Sequence, residues 1–159
     1  MLRTRLSDTL KFSMKEKNER SVSTLRLILA ALKDQDIAAR GKGNKEGLSD
    51  DQILSLLQSM IKQRRESIDL YEKGGRMELA QGEAEEISVI EGFLPEQMSE
   101  EEVATVITGV VDEVGAESLK DMGKVMTALK EQFAGQMDFG KASAIVKERL
   151  NKAAHLTKP

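Results

Sequence analysis

Few residues in this sequence have side chains suited to catalysis, and that scarcity narrows the chemistry. There is no Cys and one His, His155, which removes disulfides, thiolate metal sites and Cys nucleophiles and leaves little imidazole chemistry. The paired acids Asp50/Asp51 and Glu85/Glu86 have no His or Cys beside them. At helix starts or on helix faces they serve as first-turn charge or ion-pair partners, so neither a metal nor a cofactor is expected. The run from Gly41 through Lys42, Gly43 and Asn44 to Gly47 superficially resembles a phosphate cradle. It lacks the closing Gly-Lys-Ser/Thr and follows a helix instead of a strand, so it reads as a flexible interhelical loop.

The cations are more informative. Ile53, Leu56, Leu57, Met60, Ile61, Ile68 and Tyr71 form an apolar stripe on which Arg64 places a guanidinium. Two readings stand: an ion pair with Glu83 or Glu86 that sets helix register, or a polar site of Arg64, Arg65, Tyr71, Arg76 and Glu83 for an anionic or planar group. Arg26, Lys33 and Arg40 recur every seven residues, so they share one helix face over about 21 Å. That ridge is either a solvated face or a track for nucleic-acid phosphates. Near the C-terminus Lys120, Lys124, Lys130, Lys141, Lys147, Arg149, Lys152 and Lys158 outnumber the acids 8 to 4. Gly123 beside Lys124 would let a phosphate approach the helix backbone, or it marks tight helix packing. Aromatic residues make up 3% of the chain, too few for a base-stacking platform.

The elements that must position these residues are helices throughout, because apolar positions recur at three and four and no stretch alternates. The predicted helices run from Leu2 to Lys17, with Leu2, Leu6, Leu10 and Met14 on one stripe, and from Glu19 to Arg40, apolar on most sides between Leu25 and Leu32. A third runs from Ser49, boxed by Gln52, to Lys73, and a fourth from Arg76 to Leu94, before Pro95. A second capping box, Ser99 with Glu102, opens three shorter helices. Their stripes are Val103/Val106/Ile107/Val110/Val114, then Leu119/Met122/Met126/Leu129/Phe133, then Ala142/Ile145/Val146/Leu150/Ala153. The predicted architecture is all-α: a four-helix bundle over residues 1–95, then a three-helix domain over 96–159.

The 159 residues, 40% hydrophobic and 32% charged, describe a folded chain. Its net charge of −3 hides an asymmetry: residues 1–45 carry +6, residues 46–119 carry −13 and residues 120–159 carry +4. Local field, not net charge, governs an anionic partner. The longest apolar run, Leu27 to Leu32, is far short of the roughly 20 residues of a membrane span. Nothing near Arg3 and Arg5 has a secretory pattern, so a cytoplasmic location is expected.

The run from Met60 through Gln63, Arg64, Arg65 and Glu66 to Ile68, followed by Tyr71, Gly75-Arg76, Glu83 and Phe93-Leu94-Pro95-Glu96-Gln97, resembles the YqeY family, as does the segment from Arg26 to Lys33. The stretch Asp121-Met122-Gly123-Lys124-Val125-Met126, with Asp138 and Lys147 to Leu150, resembles the tail domain of the B subunit of the amidotransferase that amidates Glu-tRNA(Gln) or Asp-tRNA(Asn). The resemblance implies the same four-plus-three helical arrangement and parts that engage tRNA. It also implies the label of carbon-nitrogen ligase with glutamine as amide donor. The ATP-dependent cradle and the glutaminase of those enzymes have no counterpart in this sequence. The expected function is therefore a tRNA-associated protein without a catalytic site of its own, partnered by an amidotransferase or an aminoacyl-tRNA synthetase. The alternatives are a helical protein-interaction module and a subunit that completes an amidotransferase.

Overall fold

The computed structural model describes the backbone of residues 1–156 and the side chains of residues 1–152. Lys158 and the side chains of Ala153 and His155 lie outside the described residues. Among the described residues the chain is all-α and has no strand. Its helices are α1 (Leu2–Lys15), α2 (Glu19–Gly41), α3 (Asp50–Lys73), α4 (Met77–Glu91), α5 (Glu100–Val114), α6 (Met122–Gln132) and α7 (Phe139–Leu156), with a 3₁₀ turn at Leu119–Asp121. The chain divides into two compact units, Met1 to Leu94 and a second beginning at Pro95.

Local chemistry sets the helix ends. Ser49 and Ser99 each accept a hydrogen bond from the backbone N–H three residues on, while Gln52 and Glu102 reach back to the cap. Each box thus satisfies two otherwise orphaned donors. Glu100, Glu101 and Glu102 add negative charge at the positive end of α5, and Gly115 ends that helix in the left-handed conformation at φ 67°. The end of α4 differs from expectation: it closes at Glu91, not Leu94, with Gly92 as cap. No basic residue lies in its own last turn. Instead Arg5 of α1 donates to the Gly92 carbonyl at 3.3 Å, and its guanidinium sits 5.5 Å from the Phe93 ring centre.

In the first unit, α2 packs against α1, α3 and α4, and α3 against α4. The shared core is Leu2 and Leu6, Leu25, Ile28 and Leu32, Ile53, Leu57, Met60 and Ile61, then Ile87, Ile90 and Phe93. Each such side chain contributes about 1.5–3 kcal/mol on burial. Met14 of the predicted α1 stripe is half exposed while Ser13 is buried, and Leu27, within the apolar stretch of α2, faces solvent. Residue 13 lies seven positions after Leu6 and so continues the inward face, which a step to 14 leaves. The second unit gathers Ile107, Val110 and Val111, Val125 and Leu129, Met137, and Ala142, Val146 and Leu150. Here Val125 replaces Leu119 as an α6 anchor, since Leu119 lies in the 3₁₀ turn and is exposed, as is Ile145.

A polar clamp secures α1, α2 and the loop between α2 and α3. Arg3 donates two hydrogen bonds to Asp36, at 2.6 and 2.7 Å, and a third to the Leu48 carbonyl at 2.9 Å. The Leu48 N–H donates to Asp36 at 2.9 Å. Arg3, and next the Leu48 N–H, hold the Asp36 carboxyl down at about 2, below the usual carboxylate range. Gly47 must be glycine there: φ is +82°, and a Cβ would stand 2.5 Å from an Asp36 oxygen. Asn44 ties the same loop by accepting from the N–H groups of Glu46 and Gly47. The loop predicted to be flexible is thus laced by hydrogen bonds.

Candidate functional site

Arg64 of α3 emerges between α3 and α4, where its Nε donates to Glu86 at 2.8 Å and Nη1 donates to the Met60 carbonyl at 3.1 Å. Both side chains are largely covered, with relative exposures of 12% and 16%. Arg20 of α2 approaches Glu86 at 3.6 Å and binds Glu85 at 3.0 Å. Its guanidinium lies about 3.5 Å from where a Cβ on Gly82 would stand. Glu86 therefore receives cations from two helices, an arrangement that fixes their register whatever its net energy.

The other residues grouped with Arg64 engage separately. Arg65 pairs with Glu91 at 3.5 Å, and Arg76 pairs with Glu78 at 2.8 Å, which lowers the Glu78 carboxyl through that hydrogen bond. Both arginines are 62% exposed. Tyr71 and Glu83 are half-buried. The three arginines thus meet three different carboxylates instead of converging on one site.

The basic surfaces differ from this paired region. Arg26, Lys33 and Arg40 are exposed on α2, and among the described residues none has a carboxylate at ion-pair distance. The same holds for Lys120, Lys124, Lys130, Lys141 and Lys147 in the second unit. Lys124 and Lys130 are six positions apart and so project about 120° apart, on the two rims of the exposed face of α6. Gly123 and Thr127 lie between those rims, and Thr127 donates to the Gly123 carbonyl at 2.8 Å. A Cβ on Gly123 would meet nothing within 4 Å, so the tight-packing reading of this glycine is corrected: its backbone faces open space. Just before it, Asp121 accepts from the Glu117 and Ser118 N–H groups, which lowers its carboxyl.

Sequence reasoning missed one concavity. An open cleft of about 370 Å³ lies between α5 and α7, lined by Ala104, Thr105 and Thr108 on one side and Ile145, Arg149 and Lys152 on the other. Arg149 is anchored there by donating to Thr108 at 2.6 Å, while Lys152 pairs with Glu148 at 3.0 Å. The available signal was the run of small residues on the outer side of α5. Among the described residues no group of three His, Cys, Asp or Glu side chains is arranged to hold a metal ion.

These features define a class: an all-α chain of two helical units, with a paired ionic seam in the first unit and, among the described residues, cations without an ion pair on α2 and in the second unit. No helix among the described residues is long and apolar enough to cross a membrane. Residues 3–150 match the sequence model of the family described as Yqey-like protein, and the chain belongs to the YqeY family. It is similar to an uncharacterized protein of Schizosaccharomyces pombe, 32% identical over 55% of this chain and 67% of that protein. It is also similar to "Altered inheritance of mitochondria protein 41, mitochondrial" of Eremothecium gossypii, at 33% identity over 56% of this chain and 46% of the relative. The protein of that name from Pyrenophora tritici-repentis is 29% identical over 79% of this chain and 70% of its own length. The chain thus spans between about half and seven-tenths of the length of these relatives.

Proposed function

We propose that this YqeY-family chain is a tRNA-associated protein without a catalytic site of its own, acting as an accessory to tRNA-dependent amidation. In this reading a four-helix bundle over residues 1–95 carries a three-helix tail over residues 96–159. The tail docks on folded tRNA, and a partner amidotransferase or aminoacyl-tRNA synthetase performs the chemistry, including any carbon-nitrogen ligation that uses glutamine as amide donor.

One contrast carries the reading. The arginines of the first unit's ionic seam are paired, whereas Lys120, Lys124, Lys130, Lys141 and Lys147 are exposed and have no ion pair among the described residues. Cations without an ion pair gain most from phosphate, because they break no salt bridge and their binding releases counterions condensed on the nucleic acid; Lys124 feels Asp121 only through its longer-range field. The open backbone at Gly123 beside Lys124 leaves room for a phosphate to approach, with Lys130 about 9 Å further along the same helix for a neighbouring one. With 3% aromatics, recognition would be by shape and phosphate. The phosphate-binding role is assigned to these lysines and not to Arg26, Lys33 and Arg40, whose apolar neighbours suit another partner. The compartment proposed is the cytoplasm. The word mitochondrial in the relatives' names leaves the chemistry unchanged, since tRNA and its charging enzymes occur in both places.

The test is direct binding. The full chain should bind tRNA more tightly than an unstructured RNA of equal length. Changing Lys124, Lys130 and Lys147 together to Glu should weaken binding and flatten its salt dependence in proportion to the phosphates no longer neutralised. Helicity of the variant is checked first. No tRNA binding at low salt, or unchanged affinity in a folded variant, overturns the reading. A second reading, a helical protein-interaction module, is favoured by the exposed apolar side chains of α2.

A further inference from the structure

The outward face of α2 carries an unusual combination. Leu27 and Ile37 are 49% and 55% exposed, and Ala30 and Ala38 are also exposed, while Leu25, Ile28 and Leu32 bury the opposite face. Leu27, Ala30, Asp34 and Ile37 follow one another at intervals of three, four and three. That is the spacing of the a and d positions of a coiled-coil seam. In the same register Arg26, Lys33 and Arg40 all fall at g, the position flanking the seam, which accounts for their repeat of seven.

We infer that this face is half of a coiled coil, built to receive one amphipathic helix of another protein with an apolar seam flanked by Glu or Asp. Charge singles out that occupant. Three cations about 10.5 Å apart have no acid at ion-pair distance among the described residues, and Arg40 reaches Asp36 only through its longer-range field, so carboxylates on a partner would meet cations free to pair. The same face of a second copy does not supply them. Antiparallel pairing would set g against g, cation against cation, and parallel pairing would set g against e, which is Ala31 and Ala38. Nucleic acid would satisfy the cations but would press a charged backbone onto Leu27 and Ile37. Asp34, the one charged residue in the seam, selects a register in which the partner brings a cation or an amide opposite it.

This inference does not depend on the tRNA reading, which rests on other residues. Its probe is a synthetic three-heptad peptide with Leu at a and d, save one Asn at the central a position to face Asp34, and Glu at e and g, kept monomeric by its own like charges, and a matched peptide with Lys at e and g. By fluorescence anisotropy the full chain should bind the Glu peptide at least about tenfold more tightly than the Lys peptide, as expected for three ion pairs of modest strength. The triple variant Arg26→Glu, Lys33→Glu, Arg40→Glu should reverse that preference. Leu27→Ser with Ile37→Ser should lose both peptides, retaining tRNA affinity and the melting temperature. If the charge reversal fails to fold, Arg26→Gln with Arg40→Gln serves instead and should lower Glu-peptide affinity alone. Equal binding of the two peptides overturns the proposal. So does a wild-type dimer that Ile37→Ser dissociates, which makes a second copy the occupant. Loss of tRNA affinity in the Leu27→Ser, Ile37→Ser variant also overturns it, by making the face an RNA surface.

Discussion

Glu86 is the most tightly held acid of the ionic seam, and its loss of partners has a measurable cost. With Arg64→Ala, Arg20 at 3.6 Å is left as its ion partner, and a largely covered carboxylate loses its strongest hydrogen bond. Urea unfolding should show a loss of about 2–3 kcal/mol, whereas Arg64→Met with Glu86→Leu should come close to wild type because both charges leave together. A loss below about 0.5 kcal/mol for Arg64→Ala, the size of an ordinary surface change, would mean that the pair does not hold the helices. The Asp36 clamp predicts a pH effect. Its carboxyl is depressed from 3.8 to about 2 in the folded state, so its stabilisation is complete above the ordinary carboxylate range and is withdrawn as pH falls from about 4 towards 2. Asp36→Asn should cost about 1 kcal/mol at neutral pH, allowing for solvent screening, and should make acid unfolding less steep in that window. An identical acid profile would show that the clamp adds nothing. The sequence exposed Arg64, because a guanidinium on an apolar stripe is visible locally, but left Glu83 and Glu86 as equal partners. They lie three positions apart, about 60° around α4, and only the packing of α3 on α4 chose between them. Arg3 and Asp36 are 33 positions apart and carry no local mark of each other.

The helices themselves were largely legible because their signals are short-range: apolar residues three and four apart, serine caps with a partner three residues on, and glycine stops. Where local pattern misleads, a distant residue intervenes, as when Arg5 of α1 caps the early end of α4 at Gly92. Gly123 offers a test at this scale. It sits in the first turn of α6 with open space where a Cβ would go, so Gly123→Ala should raise stability, by about 0.5 kcal/mol, in a thermal melt. If phosphate approaches the backbone there, the same variant should bind tRNA more weakly while melting higher. A drop in stability would mean that the glycine is needed by its surroundings.

At the scale of the whole chain, the two compact units meet in sequence between Leu94 and Pro95. Gln97 donates to the Gly135 carbonyl at 2.7 Å, and the Met98 N–H donates to the Gln136 carbonyl at 2.9 Å, so the segment is tied to the second unit from Gln97 onward. An endoproteinase that cleaves after Glu should therefore cut first at the exposed Glu96 and leave a folded helical N-terminal fragment. First cuts within residues 41–48, with 95–100 intact, would count against independent units. The sequence by itself determined that the chain is helical, where most helices begin and end, and which cations break the apolar pattern, because each of these follows from chemistry within one or two turns. Tertiary structure alone decided which carboxylate each arginine meets, that Met14 and Leu27 stay outside while Ser13 goes in, and that α5 and α7 leave a cleft. Those outcomes depend on the angles and registers at which helices pack, and they join residues too far apart in sequence for local pattern to couple them.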